Sequence, residues 1–218
     1  MSDIIFALVA ILLFGYLLGA IPFGFILTQL FRGVDVTSQG SGRTGATNVL
    51  RAAGWKAAVA VVLLDAAKAA SAVYLSKIII GASDQLVAEG IYLFRGAQIL
   101  AAMAAVVGHN WSIFLDFKGG RGVVAFLGGL FALSPAAALF GGEMLLLVAG
   151  LTRYVSLGSL VGTVAAWALL VPLVLFSRHP AEYLLYALAG ALLILFQHRD
   201  NVSRLLAGTE RKMGKTRG

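Results

Sequence analysis

The sequence contains no cysteine, and this absence removes several kinds of chemistry at once. Disulfide bonds, thiolate nucleophiles and cysteine-ligated metal sites are excluded. Histidine is scarce as well. His109, His179 and His198 stand far apart, and none has the H-x-x-x-H or H-E-x-x-H spacing of a metal site. We therefore expect no metal ion.

Charged residues are also few, at 12% of the 218 residues, whereas 60% are hydrophobic and the mean hydropathy is +0.91. An ordinary soluble domain has about 45–50% apolar residues. The composition therefore predicts an integral membrane protein. The net charge of +7 does not indicate a nucleic-acid partner, because the cations cluster in short segments between apolar runs.

The apolar runs predict an all-α transmembrane bundle of seven membrane segments, folded as a single domain over residues 1–218 with a flexible basic tail at 212–218. The runs cover residues 4–31, 55–80, 91–107, 123–151, 155–176 and 181–197, and Ser134-Pro135 divides the fourth into two pieces. In the first run, Pro22 predicts a bend. Gly15 and Gly19 there would let another helix approach closely.

The two pieces of the fourth run, of about 11 and 16 residues, are shorter than the roughly 20 residues of a full crossing. We predict a short helix hairpin, because a hairpin places thirteen basic residues on one side of the membrane and three on the other. The first side would hold Arg32, Arg43, Arg51, Lys56, Lys118, Arg121, Arg153, Arg199, Arg204, Arg211, Lys212, Lys215 and Arg217, and the other Lys77, Arg95 and Arg178. This bias predicts an outside N-terminus and a cytoplasmic C-terminus.

Asp65 and Lys68 interrupt the second run three residues apart, on one helix face. Charge inside a membrane commonly marks function. Here the spacing favours a neutralising pair, or contacts to a neighbouring loop.

The stretch from Gly108 to Gly122 joins two strongly apolar runs and reads G-H-N-W-S-I-F-L-D-F-K-G-G-R-G. Its Lys118-Gly-Gly-Arg-Gly segment offers two cations and backbone N–H groups that no Cβ shields, as a phosphate requires. A charged turn at the membrane edge is the alternative. The 11-residue helix that follows rises only about 17 Å against a hydrocarbon core of about 30 Å, so we expect this stretch below the membrane surface, lining a cavity.

Two further polar segments are predicted on the same cytoplasmic side, at residues 40–51 and 198–210. The first is rich in glycine and precedes a helix, a combination that favours anion binding but also occurs in flexible loops. In the second, we expect Glu210 to tie down the tail.

The three polar segments read G-S-G-x-x-G-A-T-N-V-L-R, G-H-N-W-S-x-F-L-x-F-K-G-G-R-G and H-R-x-N-x-x-R-L-x-x-G-x-E. In order and spacing they resemble the signature regions of the bacterial acyl-phosphate-dependent glycerol-3-phosphate acyltransferases of the PlsY type. I-P-F-G, L-L-D-A-A-K and R-Y-V-S-L-G-S-L extend the resemblance over nearly the whole chain. It implies a seven-helix enzyme of the bacterial inner membrane with a cytoplasmic active site.

By this resemblance, the enzyme transfers a fatty acyl group from acyl phosphate to the 1-hydroxyl of glycerol 3-phosphate, giving lysophosphatidic acid for phospholipid synthesis. The implied partners are these two substrates, membrane lipid and an upstream enzyme that supplies acyl phosphate. No cofactor is required, because the leaving group is already good and the enzyme need only align the reactants and stabilise charge.

The matching positions give the predicted site. The catalytic residues are Ser41, Arg51, Arg121, His198 and Asn201, and the substrate-binding residues are Gly42, Thr47, Asn48, Lys118, Gly119, Gly120 and Gly122. We assign Arg51, Lys118 and Arg121 to the two substrate phosphates. Ser41 would hydrogen-bond the donor, while His198 and Asn201 would orient glycerol 3-phosphate. His109 and Asn110 are expected to support the central loop.

The sequence departs from the family pattern at Arg43, Ser112 and Arg121, where the family usually has Asn, Pro and Lys. Arginine at 121 keeps the charge and suits bidentate phosphate binding, but it cannot act as a proton donor. Two mechanistic points stay open. Either His198 or the departing phosphate accepts the proton, and direct transfer is favoured over an acyl-enzyme on Ser41 because no nucleophile elbow surrounds that serine.

Two other classes of function fit the composition. A membrane transporter for anions or phosphate also needs cations and glycine-broken helices. It should place polar groups near mid-membrane, whereas here they are predicted on one face. A membrane scaffold, in turn, would not depend on Arg51 or Lys118.

Overall fold

The computed structural model describes residues 2–176 and 179–214, and all regular secondary structure within these ranges is helical. The helices are α1 (Ser2–Ala20), α2 (Phe23–Arg32), α3 (Ala46–Ala53), α4 (Trp55–Gly81), α5 (Asp84–Ala88), α6 (Ile91–Asn110), α7 (Val123–Leu133), α8 (Pro135–Thr152), α9 (Val155–Phe176), α10 (Tyr183–Gln197) and α11 (Arg199–Leu206). Two short 3₁₀ turns, Val36–Ser38 and Ile113–Leu115, lie in the longer loops. The prediction of an all-α protein is confirmed.

Five helical segments are long and apolar enough to cross a membrane in the part of the chain that the structure describes. They are Ser2–Arg32, Trp55–Gly81, Ile91–Leu115, Pro135–Thr152 and Val155–Phe176. Helices α7 and α10 are apolar but shorter, with 11 and 15 residues. Seven membrane segments and their orientation therefore stay a prediction. Helix α8 has 18 residues, somewhat more than expected, because Pro135 is accommodated in its first turn.

The predicted bend near Pro22 is confirmed, since α1 ends at Ala20 and α2 begins at Phe23. Proline lacks an N–H group and interrupts the hydrogen-bond ladder of the helix. The carbonyl oxygen of Ala20 accepts a hydrogen bond from Ser112 Oγ at 2.5 Å, and that of Ile21 accepts one from Lys68 Nζ at 2.8 Å. Broken backbone is tolerated in a membrane only where neighbouring groups satisfy it. Side chains from two other elements do so here.

The chain divides into two compact units, an N-terminal unit (Met1–Leu133) and a C-terminal unit (Ser134–Gly218). The division falls at Ser134-Pro135, where the sequence predicts a break. The single domain over residues 1–218 and the hairpin of α7 and α8 stay predictions.

Glycines set the distance between α1 and α6 in the N-terminal unit. A Cβ atom at Gly19 would overlap the carbonyl oxygen of Ala105, and one at Gly108 would overlap that of Tyr16. A Cβ atom at Gly15 would lie 2.9 Å from the carbonyl oxygen of Ala101. The expected close approach at Gly15 and Gly19 is therefore confirmed, and it is typical of helices that pack in lipid.

The C-terminal unit uses the same device. Gly158 and Gly162 of α9 lie against the backbone of α8. The beginning of the basic tail is held by two contacts, because the backbone N–H of Met213 donates to the carbonyl oxygen of Arg153 at 2.8 Å and Lys212 Nζ lies 5.3 Å from the centre of the Tyr154 ring. Residues 215–218 of the predicted flexible tail, with Lys215 and Arg217, lie outside the described residues, as does Arg178.

Replacing Gly19 by alanine should lower the melting temperature of the purified protein in detergent. The added methyl group has no room against α6, and overpacking of this kind costs about 1–3 kcal/mol. Gly96→Ala, at an open position of α6, is the matched control. It should leave the melting temperature unchanged or raise it, because alanine favours a helix over glycine by up to about 1 kcal/mol. Equal losses in the two variants would contradict this packing.

Candidate active site

The first polar segment is organised by the side chain of Asn48, which is buried in the first turn of α3. Its Nδ2 donates to the carbonyl oxygens of Val36 and Gln39, both at 3.0 Å, and of Arg43 at 2.9 Å. Its Oδ1 accepts from the backbone N–H of Ser41 at 3.3 Å. The hydrogen-bonding groups of this amide are thus used inside the loop, and they fix the backbone around Ser41.

Helix α3 turns two of its predicted functional residues, Thr47 and Arg51, away from its packed face. Val49 and Ala53 are buried in an apolar cluster with Val36, Ala57 and Val61. On the rest of the helix, Thr47 is half-buried and Arg51, one turn further on, is exposed. Positions four residues apart lie on the same helix face. Thr47 and Arg51 therefore share a face that is accessible to a ligand.

The turn ahead of Ser41 carries an ionised carboxylate. Hydrogen bonds from the hydroxyl and the backbone N–H of Thr37, both at 2.7 Å, hold the pKa of the exposed Asp35 below its usual value. Gly42 has a left-handed backbone, with φ of 66°, and Ser41 before it is exposed. The segment thus presents the Ser41 hydroxyl beside the backbone of Gly42, which no side chain covers.

The central stretch begins with a cap on α6 and a tight turn. The carbonyl oxygen of Trp111 accepts from the Tyr16 hydroxyl at 2.8 Å. The backbone N–H of Phe117 donates to the carbonyl oxygen of Ser112 at 2.8 Å. Asp116 and Phe117 both adopt left-handed backbones, with φ of 50° and 58°. Such conformations are uncommon outside glycine, and they persist only where the surroundings fix them.

The glycine loop, residues Lys118–Gly122, lies directly on the end of α6. Cβ atoms at Gly119 and Gly120 would overlap the carbonyl oxygen and the ring Nε2 of His109, and the N–H of Gly120 donates to that carbonyl at 3.0 Å. At Gly122, where φ is 82°, a Cβ atom would lie 2.7 Å from Asn110 Oδ1. Close packing on His109 and Asn110 therefore requires these glycines. The expectation that the two residues support the loop agrees with these contacts.

The two cations of the loop differ in exposure. Lys118 is exposed, whereas Arg121 is half-buried. The loop thus combines glycine backbone with one cation open to a ligand and a second that is partly enclosed.

Asp65 and Lys68 form the predicted ion pair inside α4, with 2.7 Å between Oδ1 and Nζ. Asp65 Oδ1 also lies 3.5 Å from His109 Nδ1. The expected neutralising pair is confirmed, and the contact to a neighbouring loop is made by Lys68, whose Nζ donates to the carbonyl oxygen of Ile21 between α1 and α2 at 2.8 Å.

His198 stands between α10 and α11 in the C-terminal unit and is buried. Its Nδ1 lies 2.8 Å from the carbonyl oxygen of Ile194. A carbonyl can only accept a hydrogen bond, so Nδ1 carries the proton. In the neutral ring, the lone pair then lies on Nε2.

Asn201 lies one turn after His198, and Glu210 fixes its amide. Asn201 Nδ2 donates to Glu210 Oε1 at 2.7 Å. The same oxygen accepts from Ser156 Oγ at 2.8 Å, and Oε2 accepts from Arg204 Nε at 2.7 Å. Glu210 does tie down the tail, as expected. Because the carboxylate needs a donor, it also determines which way the amide points, and the buried Asn201 Oδ1 has no hydrogen-bond partner among the described residues.

The ionisation state of Glu210 follows from these contacts. Partial burial acts to raise the pKa of the carboxyl group, but the hydrogen bonds from Asn201, Ser156 and Arg204, together with the charge of Arg204, outweigh it and hold the pKa below its usual value. Glu210 is therefore ionised at neutral pH.

The structure thus gathers the predicted residues in three groups, one on the loop before α3, one on the glycine loop and one at the start of α11. Ser112 was noted in the sequence only as a departure from the family pattern, yet its hydroxyl caps the break before Pro22. Its partner is 92 positions away, so no local signal indicates this contact. No cluster of three or more His, Asp or Glu side chains suited to a metal ion occurs in residues 2–176 and 179–214.

Comparison with known proteins gives a consistent result. Residues 9–208 match the model of the family described as glycerol-3-phosphate acyltransferase. Glycerol-3-phosphate acyltransferase 3 of Dehalococcoides mccartyi (strain CBDB1) is 51% identical over 208 residues, covering 95% of this chain and 96% of the relative. The glycerol-3-phosphate acyltransferase of Shouchella clausii is 39% identical over 211 residues, covering 97% and 98%.

Two crystal structures are similar throughout. Both are of PlsY (YgiH), an integral membrane glycerol 3-phosphate acyltransferase, one in its glycerol 3-phosphate form and one in its lysophosphatidic acid form. The first is 37% identical with a TM-score of 0.79, covering 95% of this chain and 96% of that one. The second has a TM-score of 0.78 at the same identity. From the family match, these relatives and the shared fold, we conclude that the chain belongs to the PlsY-type glycerol-3-phosphate acyltransferase family.

Proposed function

We propose that this protein is a membrane acyltransferase that moves a fatty acyl group from acyl phosphate to the 1-hydroxyl of glycerol 3-phosphate. One observation carries the proposal. The glycine loop is packed on His109 and Asn110, and it brings together Lys118, Arg121 and glycine backbone. Such a loop suits a phosphate group. The names of the relatives support the class of reaction, and the acyl-phosphate donor is our inference from the signature residues.

In the proposed reaction, the glycerol hydroxyl oxygen attacks the carbonyl carbon of acyl phosphate and forms the new ester bond. The bond between that carbon and the phosphate oxygen breaks, and the phosphate leaves with the electron pair. The hydroxyl proton passes to His198 or to the departing phosphate. The products are lysophosphatidic acid and inorganic phosphate, so neither an acyl-enzyme nor a cofactor is needed.

The cations serve the two phosphate groups in this scheme. Lys118, Arg121 and Arg51 offset the charge of the substrates and of the transition state. Arginine is suited to this task by its planar, bidentate donors. Ser41 donates to the acyl phosphate through its hydroxyl, with Gly42 and Thr47 beside the ligand. Asn48 acts by shaping this loop, because its own amide is occupied by loop backbone.

His198 and Asn201 orient the acceptor. With Nδ1 bonded to the carbonyl oxygen of Ile194, the neutral imidazole offers Nε2 to the glycerol hydroxyl. Asn201 Oδ1 can only accept a hydrogen bond, so it suits a hydroxyl rather than a phosphate. The pair therefore discriminates the glycerol end of the substrate from its phosphate.

We further propose seven membrane segments in the bacterial inner membrane, an outside N-terminus and an active site on the cytoplasmic side. The bias of basic residues supports this orientation. Acyl phosphate would then come from an upstream cytoplasmic or membrane-associated enzyme.

The first test is phosphate release by purified protein supplied with acyl phosphate and glycerol 3-phosphate. Release should require both substrates. Lys118→Met should reduce kcat/KM by about 10²–10³-fold, as expected for loss of a group that stabilises transition-state charge, and Lys118→Arg should restore part of it. Lys56→Met is the control, since it removes an exposed lysine outside the proposed site.

Three outcomes would contradict the proposal. A transporter would show no release that depends on glycerol 3-phosphate, and a scaffold would be indifferent to Lys118→Met. Radiolabelled acyl chain trapped on Ser41 would exclude direct transfer.

The second test concerns His198. If its Nε2 accepts the proton, kcat/KM of the wild type should fall at acid pH as the ring becomes protonated. His198→Gln should lose about 10²–10⁴-fold in rate and also the acid limb of the profile. An acid limb that persists unchanged in the variant would assign the proton to the departing phosphate.

The third test follows from the ionised Glu210. Its stabilising contribution should be present above its unfolded pKa near 4.5 and disappear as the pH falls through the lower folded value. Glu210→Gln should therefore lower the melting temperature at pH 7, with a cost of about 1–3 kcal/mol. The difference from wild type should vanish in strong acid. Glu89→Gln, at an exposed loop position, should show no such dependence. A constant deficit for Glu210→Gln at every pH would contradict the assignment.

A further inference from the structure

The mechanism above makes no use of the two charges inside α4. Asp65 and Lys68 are 2% and 5% exposed, and both lie in a helix that is apolar enough to cross a membrane. Burying two charges is costly even when they are paired, and an apolar pair of similar volume is often as stable. Mutual neutralisation explains why the pair is tolerated, but not what it does.

Each of the two charges has a second partner in the N-terminal unit. Lys68 Nζ donates to the carbonyl oxygen of Ile21 at 2.8 Å, at the break between α1 and α2. Asp65 Oδ1 lies 3.5 Å from Nδ1 of the buried His109. The pair thus joins the break in the first membrane segment to the end of α6.

From His109 the contact continues to the glycine loop. The Nδ1 edge of the His109 ring faces Asp65 Oδ1. This orientation turns Nε2 toward Gly120, where a Cβ atom would overlap it. The backbone of His109 also holds the loop, through the N–H of Gly120 at 3.0 Å. The ring position therefore limits how closely Gly120 can approach α6.

We propose that Asp65 and Lys68 are positioning residues for the glycine loop. Asp65 positions the imidazole of His109 beneath Gly120. Lys68 holds Asp65 in place through the ion pair and also donates to the backbone carbonyl of Ile21. The pair thereby fixes how far the glycine loop, with Lys118 and Arg121, lies from the end of α6. The inference rests on the proposed function in one respect, the assignment of this loop to substrate phosphate.

The decisive variant exchanges the two residues, Asp65→Lys with Lys68→Asp. It keeps the net charge, the spacing and the ion pair, but it withdraws the carboxylate from His109 and the ammonium group from Ile21. A pair that only neutralises itself would survive this exchange. If swapping the two residues impairs folding, Asp65→Leu with Lys68→Met serves as a second variant, because it leaves no unpaired charge in the helix. Lys77→Met is the control, because it removes a half-buried lysine from the same helix, one that lies over the Tyr74 ring and outside the proposed site.

Two readouts are needed, and only one depends on catalysis. The first is kcat and KM from phosphate release, beside the melting temperature. The exchanged variant should stay folded, with a melting temperature somewhat below wild type because the Ile21 carbonyl loses a donor, and it should lose on the order of 10²-fold in kcat/KM, the cost of a small misplacement of the site. In a His109→Asn background the same exchange should cost about threefold or less, because residues that act through one partner are not additive. The control should match wild type in both backgrounds.

The second readout is hydrogen exchange of peptides that cover residues 116–122. The rate of hydrogen exchange in these peptides should rise when Asp65 and Lys68 are swapped, and the rate in α7 should stay unchanged. The inference would be overturned if the variant with the two residues swapped kept full activity and wild-type hydrogen exchange in residues 116–122. It would also be overturned if the loss of kcat/KM in that variant added fully to the loss caused by His109→Asn. Failure of both paired variants to fold would assign the pair to folding alone and overturn it as well. If wild type releases no phosphate, the proposed function fails, while hydrogen exchange still decides whether the pair positions the loop.

Discussion

Backbone N–H and C=O groups inside a membrane must find hydrogen-bond partners within the protein, because lipid offers none, and this constraint shapes the N-terminal unit. Before Pro22 the first segment breaks, and Ser112 and Lys68 donate hydrogen bonds to the carbonyl oxygens of Ala20 and Ile21. The same neighbourhood holds the Tyr16 bond to Trp111 and the close contact of α1 with α6. Ser112 belongs to the stretch that leads into the glycine loop, and Lys68 pairs with Asp65, which faces His109 under that loop. By our proposal, folding and site geometry therefore depend on one set of contacts.

Much of the helical structure could be predicted from the sequence, because hydropathy in a membrane is a strong local signal. The apolar run at Val155–Phe176 became a helix with the same bounds, and Pro22 and Ser134-Pro135 mark real helix ends. The spacing of Asp65 and Lys68 likewise predicted their ion pair. What local patterns could not give were contacts between distant residues. The bond from Ser112 to Ala20 and the seat of Gly120 on His109 depend on how α1, α4 and α6 pack.

The site residues show the same division. The motifs identified Asn48, His198 and Asn201, and the hydrogen bonds of these residues support the roles that we propose for them. The amide nitrogen of Asn48 donates to loop carbonyl oxygens. The amide nitrogen of Asn201 donates to Glu210, and its oxygen has no hydrogen-bond partner among the described residues. The sequence placed both asparagines in the site, and their partners show which of them keeps an amide oxygen for a ligand. In the same way, the glycines of the central loop were expected to admit an anion, and the structure adds that they are required by packing on α6.

The central claim is that the segments around Gln39, Asp116 and Ser203, which are exposed positions beside the three polar groups, face one aqueous compartment and serve one reaction. The absence of cysteine makes this directly measurable. Single cysteines at these three positions, and at Gln85 as the opposite control, can be labelled with an impermeant maleimide in intact cells and in inverted membrane vesicles. The account predicts labelling of the first three only in inverted vesicles and of Gln85 only in cells. Labelling of Ser203→Cys from the side opposite to Gln39→Cys would contradict it.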